Sequence, residues 1–192
     1  VFSDIRVTAD GKFSTNVKFT DASATVIAAE FIDTSSRIVM AWDSDKDYPA
    51  YNNASYSNRR LRLSEGVANA DNSWTLVWNN ITLPTDYIGK TFELWSAVTA
   101  CYNNGGYGRP EVKLTACSTD DVRKVEIKSS PYHFVMAADA VNSSQSAVTR
   151  RNIIDTTTCQ GCHNQAVYHY DNGINCQTCH TSDKTLRADD TY

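Results

Sequence analysis

Apolar residues return at every second position through most of the first 136 residues, and no long segment repeats at 3.6. That period belongs to strands with one face buried, not to amphipathic helices. Trp74, Leu76 and Trp78 fall on one side and Thr75, Val77 and Asn79 on the other. Phe92, Leu94 and Ser96 alternate in the same way with Glu93, Trp95 and Ala97, as do Val122, Lys124 and Glu126 with Arg123, Val125 and Ile127. Further strands are expected at Phe2-Ser3-Asp4-Ile5-Arg6-Val7, at residues 13–19 and from Arg109-Pro110 through Leu114. Two apolar runs, 25–32 and 37–42, are joined by Asp33-Thr34-Ser35-Ser36, the signature of a hairpin. Eight or nine short, closely spaced strands predict a mainly β fold, a β-sandwich or Greek-key barrel over residues 1–136. The four Trp belong in its core. Residues 43–58, rich in Asp, Tyr, Asn and Ser, read as an exposed loop.

The pattern changes after Met136. Residues 137–151 are rich in Ala and Ser, as in a short helix or linker. Beyond Ile153 there is too little apolar material for a core. Order in a segment of that kind must come from another source, and the cysteines and histidines supply one. Cys159-Gln160-Gly161-Cys162-His163 and Cys176-Gln177-Thr178-Cys179-His180 are two copies of one pattern. Cys-x-x-Cys-His is the attachment signature of a c-type haem. Two thiols three positions apart reach the two vinyl groups of one porphyrin and form thioethers, and the His that follows ligates the iron. Four cysteines in paired Cys-x-x-Cys units also suit zinc. His occupies 4 of 192 positions, so its presence after both units by chance is about one in two thousand, which favours haem. Residues 137–192 are therefore expected to be a linker and a small, mostly irregular dihaem segment.

The axial count closes. His163 and His180 take one position on each iron, and two histidines remain, His133 and His169. Four imidazoles for four axial positions make two bis-His low-spin sites. Six residues separate His169 from His163 and reach at most about 20 Å, so His169 is assigned to the haem on Cys176 and Cys179, and His133 to the haem on Cys159 and Cys162. The crossed assignment and a ligand from a neighbouring subunit are the alternatives. Met40 reads as core, and Met136 is the weaker rival of His133. Arg150, Arg151, Lys184 and Arg187 are candidates to pair with haem propionates. An iron with both axial positions filled binds neither peroxide nor dioxygen without losing a ligand. The expected role is electron transfer, not catalysis. A dihaem peroxidase or reductase is the alternative and needs one open iron. A second alternative is a β-sandwich binding module with an accessory haem tail, for which Trp42, Tyr48, Tyr51 and Tyr56 are the support.

Cys101 and Cys117 are left over and flank the loop signal Asn103-Asn104-Gly105-Gly106-Tyr107-Gly108. They are expected to form a disulfide, since disulfides and attached haem both suit exported, oxidising settings. The net charge of −4 argues against a nucleic-acid partner. No apolar run approaches about 18 residues, so no membrane span is expected. If the protein is exported, its signal peptide is already absent from this sequence.

The two pentapeptides, the stretch Arg151-Asn152-Ile153-Ile154-Asp155 and His169 between the units resemble the multihaem outer-surface c-type cytochromes of metal-reducing microbes. The resemblance covers residues 130–181. It implies a β-rich domain, often a Greek-key barrel with a disulfide, ahead of a haem domain with little regular structure. It implies an extracellular or cell-surface setting, with the periplasm as alternative. It also implies other redox proteins or extracellular acceptors as partners. Relatives carry many haems and this sequence two, so the resemblance extends to extracellular cytochrome filaments, in which self-association into a homopolymer joins short haem sets across subunits.

Overall fold

The computed structural model describes residues 1–42, 60–105, 111–127, 131–138 and 144–145. These residues form two antiparallel sheets and two short 3-10 turns, Ala29–Phe31 and Leu63–Glu65, with no α-helix among them. The mainly β expectation holds, in its sandwich form. The first sheet runs β1 (Phe2–Val7), β2 (Phe13–Lys18), β6 (Ser73–Trp78), β5 (Val67–Ala68). The second runs β10 (Ser144–Gln145), β9 (Tyr132–Val135), β7 (Thr91–Asn103), β3 (Arg37–Trp42), β4 (Arg60–Arg62), and β8 (Val122–Ile127) pairs with the far end of β7.

Alternation decides what fills the space between the sheets. Trp74, Leu76 and Trp78 are buried while Thr75 and Val77 stay half-exposed. Phe13 of the first sheet meets Phe92 at 6.0 Å and Phe134 at 6.2 Å, ring centre to ring centre, and those two come from the second sheet. Trp78 lies edge-on to Phe13 at 5.2 Å, and Trp42 lies 5.9 Å from Phe92. Burial of each such ring contributes about 1.5–3 kcal/mol. Met40 is fully buried here, as its apolar run implies.

Two glycines are required by the backbone. Gly11 turns β1 into β2 at φ 79°, a conformation that costs a side-chain-bearing residue about 1 kcal/mol or more. Gly66 faces a different limit: a Cβ there would stand 2.5 Å from Leu76 Cδ2 and 2.7 Å from the Thr75 carbonyl. Among the described residues β1 is an edge strand, and it carries a register shift between Ser3 and Arg6, with Asp4 at φ 49° inside it. A bulge bearing a charge discourages pairing with another chain at that edge.

Two expected strands do not form. The run 25–32 holds only isolated bridges at Val26 and Ile32 around the 3-10 turn. Both edges of β3 are already taken, by β4 and β7, so the upstream run has no place in the ladder. Residues 111–115 contribute a single bridge, Leu114 to Tyr102. The Asn103 side chain takes the Lys113 N–H at 2.7 Å and gives its amide to the Glu111 carbonyl at 2.9 Å. Two backbone bonds join the same stretch to the end of β7, Asn103 N–H to the Lys113 carbonyl at 3.1 Å and Thr115 N–H to the Cys101 carbonyl at 2.9 Å, so it pairs locally without extending into a strand. The disulfide between Cys101 and Cys117 is formed, 16 positions apart, and a loop of that size is worth roughly 3 kcal/mol through the unfolded chain.

At the β5–β6 turn, Lys18 Nζ lies 2.7 Å from Asp71 Oδ2, and the Ser73 hydroxyl donates to Oδ1 at 2.6 Å. The Lys18 contact first, then Ser73, hold the Asp71 carboxyl at about 2 against an ordinary 3.8. The folded-state value is the depressed one, so this contribution to stability is complete above pH about 4 and fades as pH falls towards 2. A carboxyl titration by NMR should place the Asp71 midpoint near 2, moving upward in Lys18→Met. A midpoint near 3.8 in the unaltered protein would contradict the contact.

Candidate functional site

Of the eight residues assigned to haem binding, the described residues include one, His133. Cys159, Cys162, His163, His169, Cys176, Cys179 and His180 lie outside them, as do Arg150, Arg151, Lys184, Arg187, Tyr48, Tyr51, Tyr56 and the loop 43–58.

His133 sits in β9 directly opposite Glu93 of β7. Because β7 alternates, Phe92 and Leu94 face the core and Glu93 turns the other way. His133 Nε2 lies 2.9 Å from Glu93 Oε2, with the carboxylate accepting. The Glu93 side chain is 3% exposed and the His133 ring 16%. A buried carboxylate is costly unless a partner neutralises or hydrogen-bonds it, and His133 is such a partner. Sequence reading missed Glu93. Its only local signal is an acid between Phe92 and Leu94, and its partner lies 40 positions away.

Residues opposed in the register share a face, so the outer side of the second sheet can be read in rows. Ala41, Glu93 and His133 form one, Val39, Trp95 and Arg60 the next, and Arg37, Ala97 and Arg62 the third. Val39, Trp95 and Ala97 make a small buried apolar cluster separate from the core between the sheets.

The weaker rival for the axial role, Met136, is 1% exposed and packs in the core between the sheets. Trp42 is likewise 2% exposed in that core, so it does not support a glycan- or mineral-binding surface. That correction follows from register: Trp42 pairs with Phe92 and points inward with it. Among the described residues no group of three or more His, Cys, Asp or Glu could hold a metal ion. No helix among them is long and apolar enough to cross a membrane.

No protein-family model and no curated protein matches the chain. Among solved structures, it is similar over 100% of its length to the outer membrane decaheme cytochrome OmcA, at 38% identity and a TM-score of 0.80. The match covers 29% of that chain. In sequence and in fold, this chain is similar to part of an outer membrane cytochrome.

Proposed function

We propose that this chain carries two covalently attached c-type haems and serves extracellular electron transfer, at the cell surface or beyond it. The observation that carries the reading is the joint presence of two Cys-x-x-Cys-His units and 38% identity, over the whole chain, to a decaheme cytochrome. The donor set fits the group: each unit offers two thiols for the vinyl carbons and one imidazole for the iron. Bound there, the haem supplies a one-electron couple that needs no ligand exchange. The domain organisation proposed is a β domain over 1–136 and a linker with the haem segment over 137–192.

Cys159 and Cys162, and Cys176 and Cys179, would tether the two haems, and His163 and His180 would each ligate one iron. His133 and His169 would supply the remaining ligands, His133 for the first unit and His169 for the second. With its Nε2 on Glu93, His133 would offer Nδ1 to the iron. A ligating imidazole nearly always gives its second nitrogen to a carboxylate, carbonyl or water, which fixes the ring and raises its basicity. With those ligands in place, the chain would pass electrons to other redox proteins or extracellular acceptors and carry out no substrate chemistry. Joining of haems across self-associated copies belongs to the same reading.

Intact-mass analysis of the mature protein should show the polypeptide plus two haems, with both Cys-x-x-Cys pairs consumed as thioethers. Zinc bound by the four cysteines, with their thiols intact, would overturn the reading.

A further inference from the structure

The end of the β7–β8 ladder is closed by a side chain that ordinary chemistry can change. The two strands pair from Val98 opposite Ile127 to Asn103 opposite Val122. One step beyond, the Asn104 amide nitrogen donates to the Asp121 carbonyl at 2.9 Å and to the Asp121 carboxylate. Asp121 stands in the left-handed region at φ 59°. A residue with a side chain keeps that conformation only where its surroundings hold it. Asn104 supplies two of the holding contacts, at the residue from which β8 sets out.

Asn104 precedes Gly105, and every other described asparagine precedes a residue that carries a Cβ. Glycine leaves its backbone nitrogen unshielded and free to turn. We propose that Asn104-Gly105 is a deamidation site and that its conversion unlatches the start of β8. Gly105 N attacks Asn104 Cγ, and the new N–C bond closes a five-membered succinimide. The side-chain nitrogen leaves as ammonia, taking up the proton that Gly105 N gives away. Water then opens the ring at either carbonyl and leaves aspartate or isoaspartate at position 104. Water is the one co-reactant, and nothing is oxidised or reduced.

Two contacts restrain this reaction in the folded chain. The Gly105 N–H, whose proton must leave, donates to the Asn103 carbonyl at 3.0 Å. Asp121 holds the amide that must swing towards that nitrogen. Both contacts lie at the end of a ladder, where local opening takes least free energy. Asn104 and Gly105 are half-buried, so solvent reaches them. Conversion is therefore paced by opening of the ladder end, and it runs one way.

The product reverses the contact. An amide that offers two protons becomes a carboxylate that offers none, set against the Asp121 carboxylate, and like charges at that distance repel. The effect is local. Further along, the Cys101–Cys117 bridge and the Lys124–Asp33 pair at 2.6 Å still tie this end of the second sheet together.

The test is ageing of the full haem-loaded chain at mildly alkaline pH, followed by peptide mass spectrometry. Acid should accumulate at position 104 ahead of every other described asparagine, as a mixture of aspartate and isoaspartate. Asp121→Gly, which suits φ 59° and removes the restraining carboxylate, should raise that rate several-fold. Asn104→Asp should speed amide hydrogen exchange across Val122–Ile127 several-fold and leave β2 and β6 unchanged. Asn104→Ala, which lacks the donors but adds no charge, should fall between Asn104→Asp and the unaltered protein. An amide retained at 104 while other asparagines convert would overturn the site. Exchange in Asn104→Asp equal to that of the unaltered protein would overturn the latch. Neither result bears on the haems, since the site belongs to the β domain and does not depend on how the irons are ligated.

Discussion

Phe92→Ala should destabilise the β domain by about 3–5 kcal/mol, the range for removing a fully packed aromatic. Phe92 is fully buried and touches rings from both sheets: Phe13 at 6.0 Å, Phe134 at 5.6 Å and Trp42 at 5.9 Å. Its removal leaves a cavity at the point where the sheets meet, and neighbours fixed in β2, β3 and β9 have little freedom to collapse into it. A loss of this size is a large part of the stability of a single domain. Denaturant unfolding followed by tryptophan fluorescence would measure it. Phe2→Ala is the contrasting case: the ring lies on the edge strand, half-buried and 5.7 Å from Tyr132, and its loss should cost under half as much. Equal costs would mean that the core is not centred on the Phe13–Phe92–Phe134 group.

Register explains why that core could be read from the sequence alone. Trp74, Leu76 and Trp78 recur at period 2, and a face repeated at that period has one way to be buried. The Cys101–Cys117 pair was legible for a different reason, since two leftover cysteines around a Gly-rich loop leave little choice. What alternation does not encode is which strands become neighbours. The run 25–32 is as apolar as many strands, and only the prior pairing of β3 with β4 and β7 denies it a ladder. The 111–115 stretch stays short of a strand in another way, held to the end of β7 by two backbone bonds and by the Asn103 side chain.

The same limit governs the candidate site. The two Cys-x-x-Cys-His units are visible because the chemistry requires their members within five positions. His133 could be chosen only by counting imidazoles, and Glu93 not at all, because a pair formed across two strands leaves no mark at either position. Trp42 shows the converse error. It adjoins a Tyr-rich loop in sequence, which suggests a binding surface, but the register of β3 turns it into the core.

His133→Ala carries the second large effect. If His133 closes the iron on Cys159 and Cys162, its removal opens one of the two haems and leaves the other closed. Cyanide or carbon monoxide should then bind rapidly to one half of the total haem, where the unaltered protein binds none, and one half of the ferric iron should turn high-spin. The haem content by mass should stay at two, because the thioethers do not involve His133. Far-ultraviolet circular dichroism controls for folding, since the same change leaves the buried Glu93 carboxylate without its imidazole and costs stability as well. Unchanged ligand binding in a folded, fully loaded variant would assign the axial position to another residue or to a neighbouring subunit.

In the proposed function, two irons closed by imidazole on both sides let the chain pass electrons without chemistry of its own. Low-temperature electron paramagnetic resonance of the oxidised protein, with spins counted against total iron, tests it most directly. The account predicts that all ferric iron is low-spin with bis-imidazole character, at two irons per chain. A high-spin ferric signal from either haem in the resting protein, or iron absent and zinc in its place, would contradict it.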